Sequence, residues 1–103
     1  MKTLTFILYF VAILGLIEAT WHVVRIRGFS TAERSKFLRD ARSAMRQSGG
    51  YSDKMEFLQD KMENNYGGQW HCFYGNGEFG GSLRSYKSIY VKEGNKRILC
   101  FQQ

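Results

Sequence analysis

Residues 64–81 read NNYGGQWHCFYGNGEFGG, and within them the periodicity of the chain changes. Up to Tyr66 the apolar residues recur at helical spacing. After Gly67 and Gly68 they alternate, with Trp70, Cys72 and Tyr74 on one side of an extended chain and His71 and Phe73 on the other. The stretch also carries Gly75, Gly77 and Gly80 at Gly-x-Gly-x-x-Gly spacing, a mark of dinucleotide-binding turns and kinase phosphate loops. A dinucleotide turn needs the third glycine to open a helix whose N-terminal amides hold the pyrophosphate. Here Gly80 leads into GSLRSYKSIYV, which is alternating and β-rich, and the 23 residues left after position 80 of 103 cannot complete a βαβ unit. A kinase loop would further need its strand lysine, catalytic aspartate and metal motif, for which there is no room. The glycines are better explained by a hairpin turn at Asn76-Gly77.

Downstream, FGGSLR, SIYVKE and KRILCF read as three further strands, the last two joined by a two-residue turn at Gly94-Asn95. Upstream there are two helices. Ser30-x-x-Glu33 is a capping box that starts the first, whose apolar set is Phe37, Leu38, Ala41, Ala44 and Met45, and Gly49-Gly50 ends it. Ser52 is the expected N-cap of the second, with Asp53 at the positive end of its dipole and Met55, Phe57, Leu58 and Met62 as its buried stripe. Before them WHVVRIR reads as a strand with Val24 and Ile26 inward and Arg25 and Arg27 outward. The fold class is therefore α+β: strand, two helices, then four strands, with the helices covering one face of an antiparallel sheet.

The N-terminus stands apart. Lys2 precedes the apolar run LTFILYFVAILGLI at residues 4–17, and Ala19 follows at a plausible cut site, so residues 1–19 are expected to be a secretory signal, with an uncleaved membrane anchor as the alternative. Residues 20–103 then form one domain, and removing one base (Lys2) and one acid (Glu18) leaves the net charge at +6. A chain this short buries only about 60% of its unfolded surface and tends to need a disulfide, a metal or a second subunit. Cys72 and Cys100 are the only cysteines; either a disulfide or two buried thiols fits the sequence. His71 lies beside Cys72 but on the opposite face of a strand, and even with His22 the chain shows no recognised zinc spacing. We therefore expect no enzyme, no metal and no cofactor. Charges group as a basic face at Arg39, Arg42 and Arg46 and an acidic stripe at Asp53, Glu56, Asp60 and Glu63, read as two solvated helix faces that partly neutralise each other.

The residues in the opening stretch resemble the dynein light chain family, the small dimeric peptide-binding type. The matching residues include Tyr66, Trp70, His71, Cys72, Gly75, Phe79 and Gly80, followed by Ile89, Tyr90, Gly94, Ile98, Leu99 and Phe101. The resemblance implies a homodimer in which the strand at residues 79–84 crosses to pair with the other subunit's sheet. It further implies that a partner peptide adds to the same segment as an extra strand, by β-augmentation. On that basis Phe79, Gly80, Gly81, Ser82, Leu83, Arg84 and Tyr90 are the peptide-binding candidates, and His71, Phe79 and Ser82 the dimer-interface candidates. If His71 meets its own copy there, acid is expected to weaken the dimer.

Departures bear on specificity. Ser82 and Arg84 replace a Tyr and a Thr of the family's crossing strand, Tyr51 and Ser52 replace an acid and a Lys, and Ser88 and Lys92 replace aromatics of the groove. Gly77-Glu78 adds one residue and the connection after Arg84 is two residues shorter. Arg84 and Lys92 point to an acidic peptide in place of the family's Thr-Gln-Thr type. Membership implies dynein complex and microtubule association in the cytoplasm, with the dynein intermediate chain as one partner, whereas the leader implies the secretory route; the chain binds a membrane only if that leader stays on. Nucleic acid is not an expected partner. A reading from another class is a secreted basic protein, no longer motor-associated, that attaches to anionic surfaces or acidic partners through Arg25, Arg27 and the Arg39, Arg42, Arg46 face.

Overall fold

The computed structural model describes residues 21–77 and 83–103. The leader at residues 1–19 and residues 79–82 of the expected crossing strand lie outside the described residues. The elements run β1 (His22–Arg27), α1 (Thr31–Met45), α2 (Tyr51–Tyr66), β2 (Trp70–Asn76), β3 (Ser88–Glu93) and β4 (Lys96–Gln102). The four strands form one antiparallel sheet in the order β1-β3-β4-β2, with β1 and β2 at its edges. Strand, two helices and three more strands are thus present; of the remaining strand expected after Gly77, the described residues Leu83 and Arg84 are not in a strand.

Local chemistry explains the helix boundaries. At α1 the expected capping box is made: Glu33 N–H donates to Ser30 Oγ at 3.2 Å, and Ser30 N–H donates to Glu33 Oε1 at 2.9 Å. At α2 the N-cap is Gly50 rather than Ser52. Gly49 takes a positive φ of 100°, which reverses the chain within one residue, and the Asp53 carboxylate then accepts from Gly50 N–H at 3.1 Å. A side chain at Gly49 would press on that carboxylate. Gly67, with φ 71°, closes α2 by donating to the Glu63 carbonyl at 2.8 Å.

Both helices lie on the same side of the sheet. Phe37, Ala41 and Ala44 of α1 and Met55, Leu58 and Met62 of α2 pack on Trp70, Cys72, Ile89, Val91, Ile98 and Cys100 of the strands, all of them buried. β1 departs from simple alternation. A bulge between Val23 and Arg25 leaves Val23 opposite Val91 and Ile26 opposite Ile89, so these two face the helices while Val24 is 51% exposed. At the other end of the sheet Gly94, with φ 60°, makes the tight β3–β4 turn.

Two ties hold the layers. Trp70 is 1% exposed, meets Phe29 and Tyr66 at ring distances of 6.2 and 5.7 Å, and donates its indole N–H to the Gly67 carbonyl at 3.0 Å. Lys87 reaches across from the segment before β3: its ammonium bonds Glu33 at 3.0 Å and the Gly28 carbonyl at 2.9 Å, and lies 4.7 and 4.6 Å from the ring centres of Phe29 and Tyr66. Cys72 and Cys100, directly opposite each other on β2 and β4, form a disulfide with a Cα–Cα distance of 4.2 Å. This is a narrow, non-hydrogen-bonded pair.

Replacing Trp70 with Ala removes a buried indole and its hydrogen bond, and is expected to cost about 3–5 kcal/mol in urea unfolding; a loss below about 1 kcal/mol contradicts its central placement. Glu33 gives a pH test. The Ser30 backbone N–H and then Lys87 hold its carboxyl below the ordinary value. A depressed folded pKa contributes stability above the unfolded value and loses it as pH falls through the folded one. Glu33→Gln should therefore melt below wild type at neutral pH, with the gap closing as pH falls through the depressed folded pKa of Glu33, as followed by circular dichroism.

Candidate functional site

Because side chains alternate across a strand, committing one set to the helices commits the other set to the opposite face. Strand register gives that open face row by row. Arg25 lies opposite Tyr90, Tyr90 opposite Leu99, and Leu99 opposite Phe73. Arg27, Ser88, Phe101 and His71 form the neighbouring row, and His22, Lys92, Arg97 and Gly75 the next. The β2–β4 half is aromatic and aliphatic. Phe73, 52% exposed, stacks with Phe101 at 6.0 Å, and His71 lies 5.3 Å from Phe101 with its Nε2 2.7 Å from Gln103 Oε1. The β1 half is cationic.

The two edges differ. Backbone hydrogen bonds to β4 alternate along β2, and because Cys72 and Cys100 form a narrow pair, the amides of Trp70 and Cys72 point outward and are met by α2. Gln59 Oε1 accepts from Cys72 N–H at 3.0 Å, and Glu63 Oε2 accepts from Trp70 N–H at 3.4 Å. Among the described residues no side chain caps the equivalent amides of Tyr74 and Asn76, at the end of β2. There the Tyr74 ring stacks on Tyr51 at 3.9 Å and 7°, so the start of α2 and the end of β2 share an aromatic platform, with Tyr51 48% exposed. Desolvation, and then the Tyr51 phenol, push the Tyr74 phenol up to about 12.

Of the residues singled out in the sequence, His71 and Tyr90 lie on the same open face, in neighbouring rows with β4 between their strands, both partly buried and both away from the helices. Leu83 and Arg84 are exposed, and Phe79, Gly80, Gly81 and Ser82 lie outside the described residues. Cys72 and Cys100 sit on the helix side, joined to each other, so neither offers a thiol. Among the described residues no three His, Cys, Asp or Glu side chains converge as metal ligands, and no helix is long and apolar enough to cross a membrane.

Phe73, Leu99 and Phe101 were missing from the sequence-based site although the alternation in QWHCFY already placed Phe73 opposite Trp70. The basic and acidic helix faces make no ion pair with each other: among the described residues the one ion pair is Lys87–Glu33. Asp53 and Glu63 instead cap backbone amides. Arg39, Arg42 and Arg46 belong to the helix layer and Arg25 and Arg27 to the open face, so they do not make one patch.

No protein-family model matches the chain, and no curated protein matches it in sequence. Solved structures do match. The dynein light chain-like domain of the Fasciola hepatica calcium binding protein FhCaBP2 aligns in its native crystal with a TM-score of 0.72 and 14% identity, covering 82% of this chain and 92% of that one. Its mercury derivative gives 0.69 and 16%, covering 81% and 91%. The dynein light chain-like domain of CsTAL3 aligns with a TM-score of 0.67 and 17% identity, covering 81% and 92%. The chain has the dynein light chain-like fold.

Proposed function

We propose that this chain is a non-enzymatic homodimeric module that binds extended peptide segments by strand addition at the dimer seam. The observation that carries the reading is the uncovered aromatic half of the sheet, with Phe73 half exposed beside Phe101, His71 and Leu99. An apolar sheet face of this kind is covered in stable proteins by a second layer. A second copy supplies one, along with buried area that a domain of this length lacks. The uncapped end of β2 at Tyr74 and Asn76 leads in sequence into residues 79–84, which suits exchange of that segment between copies and leaves its other side to a peptide. The fold it shares with other dynein light chain-like domains supports the same reading.

The disulfide favours an oxidising compartment and agrees with the leader at residues 1–19 read as an export signal. We therefore place the protein in the secretory pathway or outside the cell. Attachment to the dynein intermediate chain and to microtubule transport would instead require a cytoplasmic chain.

Phe73→Asp puts a charge in the aromatic seam while touching no buried core. It is expected to raise the dimer dissociation constant about thirtyfold or more, a hot-spot effect of at least about 2 kcal/mol, with the thermal melt of the subunit retained. Sedimentation velocity reads it; an unchanged dimer sinks the seam. For peptides selected from an array, N-methylating alternate backbone amides should abolish binding if they add as strands, and binding that survives on both registers rules strand addition out.

A further inference from the structure

The cationic half of the open face is not explained by dimerisation. Its strand residues are His22, Arg25 and Arg27 on β1, Lys92 on β3 and Arg97 on β4, while the remaining open-face positions hold no Asp or Glu. Arg97 is committed to backbone: its Nε and an Nη donate to the Gly77 and Gly94 carbonyls, each at 3.0 Å. Arg25, Arg27 and Lys92 are exposed and have no acidic partner among the described residues. A second copy laid across this half would set arginine against arginine in a desolvated seam, which is costly. The copy therefore belongs on the aromatic half, and the cationic half stays open to something else.

We propose that the β1 side of the sheet is a second docking site, for an acidic polypeptide segment in extended form. Three features point to that occupant. Arg25 and Arg27 are two residues apart on one face of a strand, a spacing of about 6.7 Å, which is the spacing of alternate side chains on an added strand. β1 is the free edge on this side of the sheet, and among the described residues no side chain caps its backbone, unlike β2 with Gln59 and Glu63. Lys92 extends the cationic strip inward across the register from His22, so the open-face side chains of a strand laid outside β1 meet positive charge, with no Asp or Glu at the open-face strand positions. The same arginines repel a second β1 edge, so the site excludes self-pairing and admits an acidic visitor. This inference rests on the dimer reading only for what covers the aromatic half.

The test is fluorescence anisotropy of the protein with three probes: a peptide alternating Glu with Thr, an isomer with its Glu residues contiguous, and single-stranded DNA. The alternating peptide is expected to bind most tightly, and to weaken as salt is raised. The double variant Arg25→Glu, Arg27→Glu should lose at least tenfold in affinity, with Arg25→Gln, Arg27→Gln losing less in the same direction. Arg39→Glu, Arg46→Glu makes the same charge change in the helix layer and should bind as wild type does. Equal binding of the isomer or the DNA, equal loss in the helix-layer variant, or no binding at all overturns the site. Sedimentation of the same proteins separates the two readings: a wild type that stays monomeric yet binds the alternating peptide ends the dimer reading and leaves this site standing.

Discussion

The two-residue period of β2 is the constraint on which the rest depends. Once Trp70 and Cys72 are buried under α2, backbone geometry turns His71 and Phe73 the other way, where neither helix of the described residues covers them. The disulfide fixes the consequence by tying edge strand to interior strand at a directly opposed pair, so that Phe73 and Phe101 stay in register. A slip by one residue would expose Trp70 and bury His71. The open face is thus the other side of the core, set by the same register.

What was legible in the sequence was local or periodic. The Ser30 capping box, the helical stripes, the Gly94-Asn95 turn and the face assignment of β2 depend on residues within a few positions of each other, and all are present. What was not legible depends on partners far along the chain. The bulge at Val24 appears only when β1 is matched against β3, which is why the inward pair is Val23 and Ile26. Gln59 and Glu63 look like ordinary solvated helix residues until α2 is laid beside β2. The start of α2 was misplaced for a subtler reason: Ser52 has good capping chemistry, but the positive φ of Gly49 turns the chain earlier and lets Asp53 do the work of a cap.

The grouping of charges shows the same limit. Along the sequence, Arg25 and Arg27 join naturally with the later arginines into one basic count; in space the sheet stands between them. Lys87 illustrates the converse. Nothing in its neighbourhood marks it out, yet it gathers Glu33, the Gly28 carbonyl and two aromatic rings into one contact between the connecting segment and the start of α1.

The capping of β2 by Gln59 and Glu63 bears on how assemblies of this protein end. Edge-to-edge growth, β1 of one molecule on β2 of the next, is a head-to-tail contact that never closes and leads to fibres. It needs outward donors on one edge and a compatible neighbour on the other. Here two of the donors are already taken from within the molecule, and the opposite edge carries arginine. Face-to-face pairing uses the same surface on both molecules and is complete at two. The capped edge and the arginine edge thus both work against sheet-to-sheet growth of a small domain with an exposed aromatic face.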